Sequence, residues 1–166
     1  MAKEQTVKML LGNSEERLNN IVEKLVRDVF ADVAVVQAVR TAKVGQFMRQ
    51  GCEQDFDLIV VMPDGLKPEY RPQGSLGHIG EATRAIHAIT QARASRVLAF
   101  SERSADESVL LEAGAEHVIG IPFKCNEVKA AVRRMVTLAS PAEPSPAAGW
   151  SIGGELLRGW RRFAQT

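Results

Sequence analysis

The sequence predicts an α/β fold: a five-stranded parallel sheet in the order 2-1-3-4-5, held between helices on both faces as a three-layer sandwich. Three observations predict it. Five apolar runs of strand length alternate with five segments whose apolar residues recur at helical spacing. That alternation, strand then helix, builds parallel sheets with helices on either side. Asp57-Leu58-Ile59-Val60-Val61-Met62-Pro63 is an unbroken apolar run, opened by a carboxylate and closed by proline. Such a run suits a strand buried on both faces. Crossovers between parallel strands are right-handed almost without exception, and the flavodoxin-like order 2-1-3-4-5 is the arrangement this favours.

The elements follow in order. Val7 to Leu11 is a short apolar strand, broken by Gly12-Asn13. Ser14 is placed to cap the next helix, and Glu15 and Glu16 fall in its first turn, where acids favour the dipole. Leu18, Ile21, Val22, Leu25 and Val29 give that helix its apolar stripe. Val33 to Val39 is the second strand. Thr41 is placed to cap a second helix, with Val44, Phe47 and Met48 on its apolar face and a stop near Gly51. The third strand, Asp57 to Met62, is followed by a connection from Pro63 to Gly80, rich in Pro and Gly. Most such connections are about 2–6 residues long, so this length points to a function. A third helix spans Glu81 to Ala94, with Ala82, Ile86 and Ile89 facing inward. Arg96 to Phe100, ended by Ser101, is the fourth strand. Asp106 to Ala113, closed by Gly114, is a short helix. His117 to Ile121 is the fifth strand, ended by Pro122. A fifth helix spans Asn126 to Leu138, with Val128, Val132, Met135 and Val136 on one face.

Three regions emerge: an α/β domain over 1–139, a Pro/Ala/Ser linker over 140–149, and an amphipathic tail helix over 150–166. With 166 residues, 45% apolar and 25% charged, the chain has the makings of one globular domain with a real core. A net charge of +1 offers no bulk attraction for nucleic acid or an anionic membrane. The tail supplies that charge, with Arg158, Arg161 and Arg162 against Glu143 and Glu155. No apolar run reaches the roughly 18–20 residues that span a bilayer, and the polar start MAKEQT does not read as a signal peptide. Cys52 and Cys125 are far apart and form no metal-type spacing, so a reduced, cytoplasmic setting is expected.

Ligands of an open α/β sheet bind beyond the carboxyl ends of its strands. At the end of the third strand stands Met62, which carries no charge and binds no hard metal. Asp57 falls at the opposite end of that strand, and Asp64 lies in a Pro-Asp-Gly turn. Glu15 and Glu16 could reach a cation together with Asp64, or serve the helix dipole alone. Gly12-Asn13-Ser14 could cradle a small anion, although a glycine-rich fingerprint is missing. His78, His87 and His117 have no metal spacing. No nucleophile-base or paired-carboxylate constellation is present, so no enzyme activity, metal or cofactor is expected. Tyr70 and Arg71, in the long connection, and Trp150, Trp160 and Phe163, in the tail, are candidate contact residues. Aromatics beside arginine are typical of interaction hot spots. The tail aromatics could equally fold back on their own domain.

From Thr6 to Leu138 the chain resembles the receiver domain of bacterial response regulators. The βα order, DLIVVMP before a loop, HVIGIPF as last strand and turn, and LLEAGAEHVIGIPF before and through that strand carry the resemblance. The resemblance implies a site at the carboxyl edge with five positions. The acidic pair that holds magnesium falls on Gly12 and Asn13, or Ser14. The phosphoacceptor falls on Val60 by its spacing to Met-Pro, or on Met62 counted from the opening Asp57. The strand-end hydroxyl falls on Ser101, and the conserved lysine position falls on Ile121. Only Ser101 keeps the expected chemistry. The resemblance therefore implies a pseudo-receiver: a two-component-type signalling module that works without phosphorylation, through a protein partner. That partner would be a signalling kinase, a transcription regulator or a second copy. The alternative is a small ligand bound at the carboxyl edge, under the 63–80 loop.

Overall fold

In the computed structural model, residues 4–68 and 77–136 are described, by backbone alone at 77 and 78. Tyr70, Arg71, the 140–149 linker, Trp150, Trp160 and Phe163 lie outside the described residues, as does the side chain of His78.

Five parallel strands form one sheet: β1 Gln5–Gly12, β2 Ala34–Thr41, β3 Leu58–Val61, β4 Val97–Ser101 and β5 His117–Gly120. Their order is β2-β1-β3-β4-β5, as the sequence predicts. The helices are α1 Glu16–Val29, α2 Val44–Glu53, α3 Gly77–Ala92, α4 Glu107–Ala113 and α5 Cys125–Met135. Strand alternation divides the apolar residues into two cores. Val7, Met9, Leu11, Leu58, Val60 and Phe100 meet α1 and α5 through Val22, Val26, Val128 and Val132. Leu10, Ile59, Val61, Val97 and Ala99 meet α2, α3 and α4 through Phe47, Ile86, Ile89 and Leu110. Every residue of β3 is buried, which is why its sequence does not alternate.

Several boundaries differ from expectation. Ser14 does not cap α1: Glu15 holds the N-cap position without a side-chain bond, and the Ser14 hydroxyl turns to the Gly65 carbonyl, 2.5 Å away. Thr41 does not cap α2 either. It closes β2 by pairing with Gly12, and Lys43 takes the cap. In both cases a strand-end residue is drawn into sheet or loop contacts, which outweigh a local cap. The second helix runs through Gly51, because that glycine lies against Ile89 of α3; a Cβ there would sit 2.5 Å from Ile89 Cδ1. Met48, expected on the apolar face, is 40% exposed. The long connection is shorter than it reads. Pro63–Gly65 forms a 3-10 turn, and α3 begins at Gly77 rather than Glu81. The short α4 closes as expected at Gly114, whose φ of 122° suits glycine.

Candidate functional site at the carboxyl edge

Four loops meet at the carboxyl edge of the sheet. The chain leaves β1 at Gly12, where a Cβ would come within 2.6 Å of the Phe47 ring. Asn13 follows, 2% exposed, with its N–H donated to the Thr41 carbonyl. Its Nδ2 donates to the Glu15 carbonyl and to Asn19 Oδ1, both at 3.0 Å. Asn19 returns a bond from its own Nδ2 to the Asn13 carbonyl, also 3.0 Å. Two buried amides thus lock the β1–α1 turn to the first turns of α1. Buried polar side chains in such reciprocal pairs rigidify a turn, because each would be costly alone.

The loop after β3 is fastened to this turn. Met62 donates its N–H to the Gly12 carbonyl, and Ser14 donates both its N–H and its hydroxyl to the Gly65 carbonyl. Lys67 exchanges backbone bonds with Ala42 and Val44 at the end of β2. The Asn13 Oδ1 atom lies against the Gly65 backbone; a Cβ at 65 would come within 1.8 Å of it. That oxygen has no hydrogen-bond partner among the described residues.

Asn13, Met62 and Ile121 line one small cavity, joined by Glu15, Leu18, Asp64, Gly65, Phe100 and Glu102. Its volume of about 60 Å³ admits a few waters and not a nucleotide or flavin. Met62 is 3% exposed and packs with the α1/α5 core, so it plugs the floor of the cavity. Val60, the other acceptor position, lies inside β3 in the same core. Ser101 closes β4 but does not line the cavity. Its hydroxyl donates to the Arg103 carbonyl at 2.7 Å and accepts the Arg103 N–H at 3.2 Å. This is a local turn, which occupies both the donor and an acceptor pair of the hydroxyl.

The carboxylates divide as their positions suggest. Asp57 stands at the far edge of the sheet and accepts the Lys8 N–H at 2.8 Å. Asp64 is exposed in its 3-10 turn, and with Glu15 and Glu102 it borders the cavity. Among the described residues no group of three or more His, Cys, Asp or Glu side chains converges as metal ligands. The edge can therefore bear negative charge, and among the described residues no cationic side chain lines the cavity. Three contributors escaped the sequence reading: Asn19, Gly65 and Glu102. Asn19 had a signal, being an amide between Leu18 and Val22 on the inward stripe of a helix. Gly65 and Glu102 had none, since only the folded loops bring them there.

Solved structures similar to this chain include response-regulator receiver domains. The chain is similar to the receiver domain of a sensor histidine kinase from Pseudomonas aeruginosa PAO1, at 20% identity and a TM-score of 0.58, covering 80% of this chain and 98% of that one. It is similar to a CheY-like receiver domain from Methanospirillum hungatei JF-1, at 12% identity and a TM-score of 0.58, covering 78% and 93%. It is also similar to a pilus assembly protein (cpaE) from Burkholderia thailandensis E264, at 14% identity and a TM-score of 0.57, covering 78% and 97%. No protein-family model matches the chain, and no curated protein matches it. The fold is thus the flavodoxin-like fold of receiver domains. Among the described residues, no helix is long and apolar enough to cross a membrane.

Proposed function

We propose that this chain is a receiver-like signalling module that acts by surface contact with a protein partner, without phosphoryl transfer and without enzyme activity. One observation carries the reading. The carboxyl edge, where ligands of open α/β sheets bind, is floored by Met62, narrowed to a cavity of about 60 Å³, and held by the Ser14–Gly65 bonds between its loops. Phosphoryl transfer to a carboxylate needs an accessible nucleophile and cationic groups to neutralise the phosphate oxygens. Met62 and Ile121 occupy the positions where the receiver resemblance would put the acceptor and the lysine.

Contact surface is available elsewhere. On α4, Val109 and Leu111 are 43% and 44% exposed, beside the edge strand β5. A face of α4, β5 and α5 suits a protein partner such as a signalling kinase, a transcription regulator or a second copy. A cytoplasmic setting fits the free thiols of Cys52 and Cys125. Similar architecture in a pilus assembly protein keeps the class of partner broader than kinases alone. The test is a backbone amide spectrum with and without beryllofluoride and magnesium. Amides of residues 58–66 are expected to stay in place. A shift confined to that stretch would show a working acceptor site and sink the proposal.

A further inference from the structure

Both faces of a parallel sheet are normally covered, yet none of the described residues covers one part of this sheet. Leu10 belongs to the core under α2 to α4, so by alternation Thr6 and Lys8 share its face. Their partners across the ladder are Val35 and Gln37, and Leu10 pairs with Val39. Thr6, Lys8, Val35, Gln37 and Val39 are all exposed. The short α2 covers only the carboxyl half of this corner. Val33, 57% exposed, extends the apolar strip beyond β2. The edge of β2 is less available than its face, because Arg27 donates to the Val36 carbonyl at 2.9 Å and Arg40 folds onto Glu23.

We propose that this open face is the docking surface for residues 150–163 of the same chain. The described chain ends at Val136, just past α5, which returns from the carboxyl edge to the amino edge where β1 and β2 begin. Residues 1–3 are too few to cover the face, and residues 69–76 join Pro68 to Gly77 in the connection that leaves β3 at the opposite edge. From 137 to 149 the chain has 13 residues, a reach of about 40 Å when extended. That is ample to pass around a layer about 10 Å thick. The segment beyond carries both tryptophans of the chain, Trp150 and Trp160, with Leu156 and Phe163. Its charge also fits. Arg158, Arg161 and Arg162 would meet a rim of exposed carboxylates at the amino edge: Glu4, Asp32 and Asp57. Lys8, inside the face, is left beside Gln37 for the one acid of the segment, Glu155. The surface lies at the edge opposite the plugged site, so it stands independently of the proposed signalling role.

The two tryptophans make the test direct. In full-length protein carrying Trp150→Phe, Trp160 is the only indole. Its emission is expected to be blue-shifted, with iodide quenching severalfold weaker than for free indole, at every protein concentration and at monomer mass by light scattering. Val35→Arg with Val39→Arg should restore strong quenching while the far-UV circular dichroism is unchanged, since both valines are exposed. Replacing Arg158, Arg161 and Arg162 by Glu should do the same without touching the domain. Quenching like that of free indole at the outset, or protection that survives both sets of changes, overturns the proposal. Protection that grows with concentration alongside a doubled mass overturns it too, and gives the face to a second copy.

Discussion

At the scale of single residues, Gly65 and Asn13 decide how the candidate site is closed. A methyl group at 65 would collide with Asn13 Oδ1, and the amide cannot easily swing away because its Nδ2 donates to Asn19 Oδ1 and the Glu15 carbonyl. Gly65→Ala is expected to cost about 1–3 kcal/mol, the usual range for forced overpacking. In Asn13→Ala that collision is gone, so the double variant should lose less than the sum of the two single losses. Urea denaturation of the four proteins closes this cycle. A second prediction concerns Glu23. Burial by itself would raise its carboxyl, but hydrogen bonds and charge from Arg27 and Arg40 outweigh that and hold it below the usual carboxylate range. A depressed folded-state value means the stabilisation is present above the unfolded-state value of about 4.3 and fades as pH falls through the lower folded-state value. Both arginines are partly exposed, so the cluster is worth only about 0.5–1 kcal/mol. Glu23→Gln should lower stability by that amount near pH 7, with the gap to the parent closing below pH 4, as thermal melts across pH would show.

At the scale of elements, one arginine joins two helices. Arg93, just past α3, donates Nε to the Cys52 carbonyl and Nη2 to the Glu53 carbonyl, both at 2.8 Å, while its third nitrogen meets Asp55. These are end-of-helix carbonyls of α2 that have no partner within their own helix. Arg93→Ala is expected to cost about 2 kcal/mol, and Arg93→Lys to recover less than half of it, because an ammonium lacks the planar fork. Denaturation midpoints at constant slope would check this. None of it was legible beforehand, since Arg93 lies at the end of a helical stretch like any solvated basic residue. The helix caps were misread for a related reason. Ser14 and Thr41 have the residue types of N-caps, and the sheet's loops claimed both.

For the molecule as a whole, two cores share one sheet, and their burial is greatest in the middle. All residues of β3 and β4 are buried, whereas β2 exposes four of its eight and β5 buries only Ile119 fully. Amide hydrogen exchange should therefore be slowest in β1, β3 and β4, and faster by orders of magnitude along β2 and β5. Uniform protection across all five strands would contradict this division. The two ends of the sheet differ as well. Its carboxyl edge is held by loop-to-loop bonds, and its amino half on the α2 side is covered by none of the described residues.

The order of elements, the parallel sheet and its strand order were legible in the sequence, because hydrophobic periodicity and right-handed crossovers leave few arrangements. Strand ends also fix which residues stand at the carboxyl edge, and Met62 and Ile121 both line its cavity. Tertiary structure alone decided how that edge is closed. The Ser14–Gly65 bonds join residues 51 positions apart, and the fit of Asn13 against Gly65 depends on interatomic distances that residue types do not encode. It also decided which half of the β1–β2 face is left uncovered, because that depends on where a ten-residue helix comes to rest against the sheet.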